Sequence, residues 1–89
     1  GVFKLKILYS PGHADGSLCI YIPEEKTLFS GDVLFQAGIG RTDLPGGDHN
    51  LLLEIISSKL FTLPGETIVF PGHGPSTNID EERKNNPFF

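Results

Sequence analysis

Residues 66–73 read Glu66-Thr67-Ile68-Val69-Phe70-Pro71-Gly72-His73, a run of β-branched and aromatic residues that passes straight into a Pro-Gly turn tipped by a histidine. The composition of 66–70 predicts a short buried strand. A strand end is a rigid platform, and the glycine lets the backbone turn sharply, so an imidazole placed there points over the edge of a sheet. The same tripeptide recurs at Pro11-Gly12-His13. It closes residues 2–9 (VFKLKILY), whose alternation predicts a half-buried strand with Phe3, Leu5 and Ile7 inward and Lys4 and Lys6 outward. With 7 Pro, 11 Gly and 3 His in 89 residues, two copies of Pro-Gly-His are not expected from composition.

Between the two copies, residues 17–22 (SLCIYI) form a continuous apolar strand, Pro23-Glu24-Glu25-Lys26 is turn chemistry, and 27–30 (TLFS) resumes as a strand, giving a hairpin that ends at Gly31-Asp32. Residues 36–50 hold five Gly or Pro without periodicity and are predicted as one long loop. Leu52, Ile55, Ile56 and Leu60 fall at helical spacing within 50–61, with Asp48 or Asn50 available as N-cap and Leu63-Pro64-Gly65 as the stop. Asn78, with Glu81 three residues on, starts a second short helix closed by Pro87. The expectation is one α/β unit over residues 1–89, with about four strands and two helices.

The net charge of −4, with seven scattered cations, argues against nucleic acid or an anionic membrane as partner, because there is no basic excess to release counterions. No apolar run approaches the ~20 residues of a membrane span. Cys19 is the single cysteine, so no disulfide forms within the chain, and a reducing, cytoplasmic setting is expected.

Three predicted strand ends carry His13, Asp32 and His73, two of them behind Pro-Gly and the third behind Gly31. Neutral imidazole suits zinc and its neighbours in the transition series, and a carboxylate shared between two cations offsets their repulsion at the ~3.5–4 Å spacing of two-metal hydrolytic sites. Singly, each of these residues is ordinary turn chemistry; only the combination points to a metal. Three ligands fall short of the four of a closed site. Asp15 either orients the His13 ring or is a plain turn residue. Arg41 and Asp43 read as an ion pair stapling the glycine-rich loop, with Arg41 also a candidate substrate contact. His49 is expected to be exposed and non-ligating, and Cys19 a buried structural thiol. Gly38-x-Gly40 lacks the setting of a nucleotide-binding fingerprint.

The ordered set Pro11-Gly12-His13, Gly31-Asp32-Val33-Leu34-Phe35, Gly40-Arg41-Thr42-Asp43-Leu44-Pro45-Gly46-Gly47-Asp48, Phe70-Pro71-Gly72-His73-Gly74-Pro75 and Asn86-Pro87-Phe88 resembles the C-terminal half of a metallo-β-lactamase superfamily hydrolase, closest in flavour to the glyoxalase II-like (hydroxyacylglutathione hydrolase-like) branch. The resemblance implies half of an αββα sandwich, with metals at one edge between the sheets. It implies that His13 ligates a first metal, Asp32 bridges two, and His73 ligates the second. The metals expected are two zinc ions per complete enzyme, with iron or manganese as alternatives. The family's His-x-His-x-Asp-His loop, with the remaining ligands and the water-orienting aspartate, is absent from residues 1–89 and is expected before residue 1. Ala14 stands where the family commonly carries Thr.

The implied function is hydrolysis of a small-molecule thioester by metal-activated water, with little or no activity from these 89 residues alone. Two alternatives accompany it. One is a mononuclear-iron persulfide dioxygenase of the same superfamily. The other is a non-catalytic half-domain whose bare sheet face pairs with a second copy instead of the absent N-terminal half.

Overall fold

The computed structural model describes residues 4–89. Its main sheet has five strands in the order β1-β2-β3-β6-β7: β1 is Lys6–Tyr9, β2 Leu18–Ile22, β3 Thr27–Gly31, β6 Ile68–Pro71 and β7 Thr77–Asn78. Strands β1, β2 and β3 pair antiparallel, β3 and β6 pair parallel, and β6 and β7 pair antiparallel. Strands β1, β3 and β6 therefore all run the same way, and their C-terminal ends, which lead to His13, Asp32 and His73, emerge at one edge. The topology alone brings the three residues together.

Two helices cover one face. Helix α1 (His49–Ile55) continues through a π-helical turn over Ile56–Leu60, and α2 spans Ile79–Asn85. Of the two N-caps considered for α1, Asp48 serves, its carboxylate accepting the Leu51 N–H at 3.0 Å. Asn78 caps α2 by accepting the Glu81 N–H at 2.8 Å. Leu52, Ile56, Leu60 and Ile79 from the helical layer pack on Cys19, Tyr21, Leu28 and Val69 from the sheet. Each Leu, Ile or Val among them, when fully buried, contributes about 1.5–3 kcal/mol.

Two expectations need correction. The alternation in 2–9 predicts Leu5 and Ile7 inward, but both are exposed, and it is Leu8 that packs against the core (Phe3 lies outside the described residues). The reason is that this sheet is apolar on both sides. Ile7 pairs with Ile20, Ile20 with Phe29 and Phe29 with Phe70, so one row of apolar side chains crosses four strands on the face away from the helices. Phe29 and Phe70 stack there at 5.8 Å between centroids, both more than two-fifths exposed. The second correction concerns the loop predicted over 36–50. Its first residues belong to a two-stranded ribbon, β4 (Leu34–Phe35) with β5 (Gly38–Ile39), turned at Gln36-Ala37 with Ala37 at φ +55. Strands of two residues are too short to leave a periodic signature.

Candidate functional site

His13 follows β1 on a loop that its neighbours hold tightly. Gly12 adopts φ +125, a conformation that L side chains rarely take, and a Cβ there would lie 2.5 Å from Leu52 Cβ on α1. The Asp48 N–H donates to the Gly12 carbonyl at 2.7 Å, tying the loop to the start of the helix. The imidazole is mostly covered, and its Nδ1 lies 2.8 Å from the Arg41 carbonyl. A carbonyl only accepts, so Nδ1 carries the hydrogen, and Nε2 of the neutral ring keeps its lone pair.

Asp32 follows Gly31 (φ +51) at the end of β3, just beyond a one-residue slip in register between β3 and β6 that redirects the chain. His73 follows β6, where the Gly72 N–H donates to the Gly31 carbonyl at 2.8 Å and so sets the two strand ends side by side. The His73 ring packs against Phe35, with centroids 4.8 Å apart.

The three side chains predicted to meet do so. His13 Nε2 is 3.9 Å from Asp32 Oδ2, and His73 Nδ1 is 3.5 Å from Asp32 Oδ1. Each imidazole faces a different carboxylate oxygen. Among the described residues no three His, Cys, Asp or Glu side chains converge on a single ion. The donor types, two imidazole nitrogens and a carboxylate, are ones that a divalent cation takes. Two ligands each ~2.0–2.2 Å from one ion lie roughly 2.8–3.6 Å apart at octahedral to tetrahedral angles, a spacing that the His73–Asp32 gap meets and the His13–Asp32 gap exceeds. The group lines a cavity of about 440 Å³ whose walls include Phe35, Ile39, Gly40 and Arg41.

Gly40 approaches so closely that a Cβ would run into the Asp32 carbonyl oxygen and lie 3.1 Å from His13 Nδ1. Neither this packing nor the roles of Phe35 and the Arg41 carbonyl was read from the sequence. Gly40 and Phe35 stand within the motifs quoted above, but a backbone carbonyl has no residue-type signal at all.

The other expected residues fall as follows. Arg41 lines the cavity, but its guanidinium donates twice to Asp43, Nε to Oδ1 at 2.8 Å and Nη2 to Oδ2 at 2.9 Å. That pair raises the arginine's pKa and holds the Asp43 carboxyl down to about 2. Asp15 does not orient the His13 ring, because Nδ1 is taken by the Arg41 carbonyl; the Asp15 backbone carbonyl instead accepts the Tyr9 hydroxyl, as suits a turn residue. His49 is exposed at the start of α1, edge-on to Phe88 and outside the cavity. Cys19 is fully buried, and burial pushes its thiol pKa up.

Comparison with known proteins agrees with this architecture. The model of the metallo-beta-lactamase superfamily matches residues 1–73, and the chain belongs to that superfamily. It is 51% identical over 88 residues to the "Probable metallo-hydrolase YqgX" of Bacillus subtilis, covering 99% of this chain and 42% of that protein. It is 46% identical over 86 residues to the hydroxyacylglutathione hydrolase GloC of Haemophilus influenzae, covering 97% and 41%. Among solved structures, the B3 metallo-beta-lactamase BLEG-1 superposes with TM-score 0.94 at 55% identity, covering 99% of this chain and 42% of that one. TTHA1623 in a di-iron-bound form gives 0.93 at 44%, covering 100% and 44%. ETHE1 from Myxococcus xanthus gives 0.90 at 38%, covering 98% and 40%. The chain thus spans about two-fifths of the length of the relatives it matches. Among the described residues no helix is long and apolar enough to cross a membrane.

Proposed function

We propose that this chain contributes His13, Asp32 and His73 to the metal centre of a hydrolase that cleaves small-molecule thioesters. The observation that carries the reading is the Asp32 carboxylate standing between two imidazoles, one facing each oxygen. That is the disposition of a carboxylate shared by two cations. Zinc suits the His and Asp donors, and the di-iron form of TTHA1623 makes iron the next candidate.

Divalent metal bound there would supply Lewis acidity to the scissile carbonyl and lower the pKa of a water toward neutrality. The chain's own contribution is to hold and orient. His13 presents Nε2 because its Nδ1–H is tied to the Arg41 carbonyl. Asp32 offers one oxygen to each side, and Phe35 and Ile39 give the cavity an apolar wall for the acyl group. Arg41 is placed at the lip to meet an anionic part of the substrate when its pair with Asp43 opens.

Thioesters suit these walls. A departing thiolate needs no strong general acid, and beyond His13, Asp32 and His73 the lining residues Phe35, Ile39, Gly40 and Arg41 offer none. The name of the GloC relative supports the same class. The water-orienting aspartate and the remaining ligands belong to the rest of a longer protein, which we place on the open sheet face in the cytoplasm; a second copy of the chain is the alternative cover. In the complete protein, Asp32→Ala should lose bound metal by elemental analysis and lower thioester turnover roughly a hundredfold or more. Retention of both would overturn the proposal.

A second reading is favoured by the likeness to ETHE1: oxygen-dependent persulfide oxidation at one iron held by two His and one Asp. One iron per chain with oxygen uptake on a persulfide would select it over hydrolysis.

A further inference from the structure

Among the described residues Glu82 is the one buried carboxylate, 2% exposed on α2, and the site chemistry makes no use of it. Burying a carboxylate is costly unless its oxygens are satisfied. Here they are: Oε1 accepts the Ala37 N–H at 2.8 Å and the Asn86 side-chain N–H at 3.0 Å, while Oε2 accepts the Thr77 hydroxyl. Asn86 also donates to the Gly38 carbonyl at 3.1 Å. Two of these bonds therefore reach Ala37 and Gly38, the tip of the β4–β5 ribbon, where Ala37 is held in the left-handed region.

What the ribbon carries makes this anchorage consequential. Phe35 on β4 is the ring against which His73 packs, and Arg41, two residues beyond β5, supplies the carbonyl that fixes His13. Both imidazoles are thus referred to the same small ribbon. Among the described residues the ribbon shares no hydrogen-bonded ladder with the five-stranded sheet. Its base is tied by Leu34, whose carbonyl accepts the Ser30 hydroxyl at 2.7 Å, and its tip by α2.

We propose that Glu82, assisted by Asn86, is a positioning residue for the metal site: by anchoring the β4–β5 turn it sets where Phe35 holds His73 and where the Arg41 carbonyl holds His13. The inference deepens the assignment of the two histidines as ligands and rests on it.

The test uses the complete protein, metal-free, with isotope-labelled histidine. In Glu82→Ala the ring resonances of both His13 and His73 should move toward free-imidazole positions while the methyl resonances of Leu28, Leu52 and Val69 stay in place. Glu82→Gln should restore both rings, since its amide oxygen still accepts from Ala37 and its NH2 faces the Thr77 hydroxyl. Should Glu82→Ala fail to fold, Asn86→Ala, which spares the Ala37 bond, should displace the same resonances by less. Rings that stay put in a folded variant whose Ala37 amide has moved would overturn the proposal. Titration with Co2+ alone should show affinity weakened about tenfold in Glu82→Ala; unchanged affinity would equally overturn it. A parent protein without Co2+ affinity would sink the metal-site reading instead, and the positioning would still be decided by the imidazole resonances, which are recorded without metal.

Discussion

The two Pro-Gly-His loops share a tripeptide and little else. His13 is 22% exposed, its ring held by the Arg41 carbonyl and its loop packed through Gly12 on α1, whereas His73 is 78% exposed, with its ring against Phe35 and facing Asp32. Their glycines differ in the same sense: Gly12 has φ +125 and no room for a Cβ, while Gly72 avoids the left-handed region and has its nearest neighbours at 3.4 Å. Identical local sequence delivers an imidazole to the same sheet edge in both cases. Both rings refer to the two-stranded ribbon, but only the His13 loop is also braced by a helix, through Gly12 against Leu52 and Asp48.

The contrast can be broken by mutation. The largest effect is expected from Gly12→Ala, which combines backbone strain with collision against Leu52 and should cost about 2–4 kcal/mol of stability. Gly72→Ala should fall within about 0.5 kcal/mol. Urea unfolding midpoints of the two variants would settle the matter, and equal losses would erase the distinction drawn here. Asp48→Ala comes next: it removes the cap that accepts the Leu51 N–H and should cost about 1 kcal/mol. Its effect on amide resonances should concentrate around Gly12 and His13, through the bond from the Asp48 N–H to the Gly12 carbonyl, and leave His73 undisturbed.

The smallest effect concerns Asp43. Its pKa is depressed to about 2 from an ordinary 3.8, chiefly by the hydrogen bond from Arg41. A depressed carboxylate contributes stability that is fully present above pH 3.8 and lost as the pH falls through about 2. Because the pair is exposed, screening keeps that contribution minor. In Arg41→Gln the Asp43 carboxyl, followed by NMR, should titrate upward from about 2 but stop short of 3.8, because the backbone hydrogen bond at Asp43 also lowers it; a midpoint still near 2 would show that Arg41 is not the main cause.

Much of this arrangement was legible in the chain. The runs 17–22, 27–30 and 66–70 announce strands by composition, Asp48 and Asn78 announce helix starts, and the three glycine-preceded strand ends announce a shared edge. Strand β1 misled because alternation marks an apolar side without saying what covers it; here the alternating set lies away from the helices, and Leu8 turns inward. The ribbon escaped because two-residue strands have no period. Asp15 was weighed as the partner of His13 because side chains are all a sequence displays, and the backbone oxygen of Arg41, twenty-eight residues away along the chain, does that work. Glu82 carries no signal in the sequence, because its three donors come from Ala37, Thr77 and Asn86 and only folding gathers them around it.

Since three outgoing strands share one edge, the opposite edge holds none of the candidate site residues among those described. There Lys26, just after the turn at Pro23–Glu25, meets the segment 66–68 through the Lys26–Glu66 ion pair and the bond from the Ile68 N–H to the Lys26 carbonyl. A five-residue strand at ~3.3 Å per residue separates this end from the histidines by about 15 Å. That remote rim is the place for a fluorophore, an affinity handle or a few inserted residues, where the molecule can be reported on or tethered with its working end untouched.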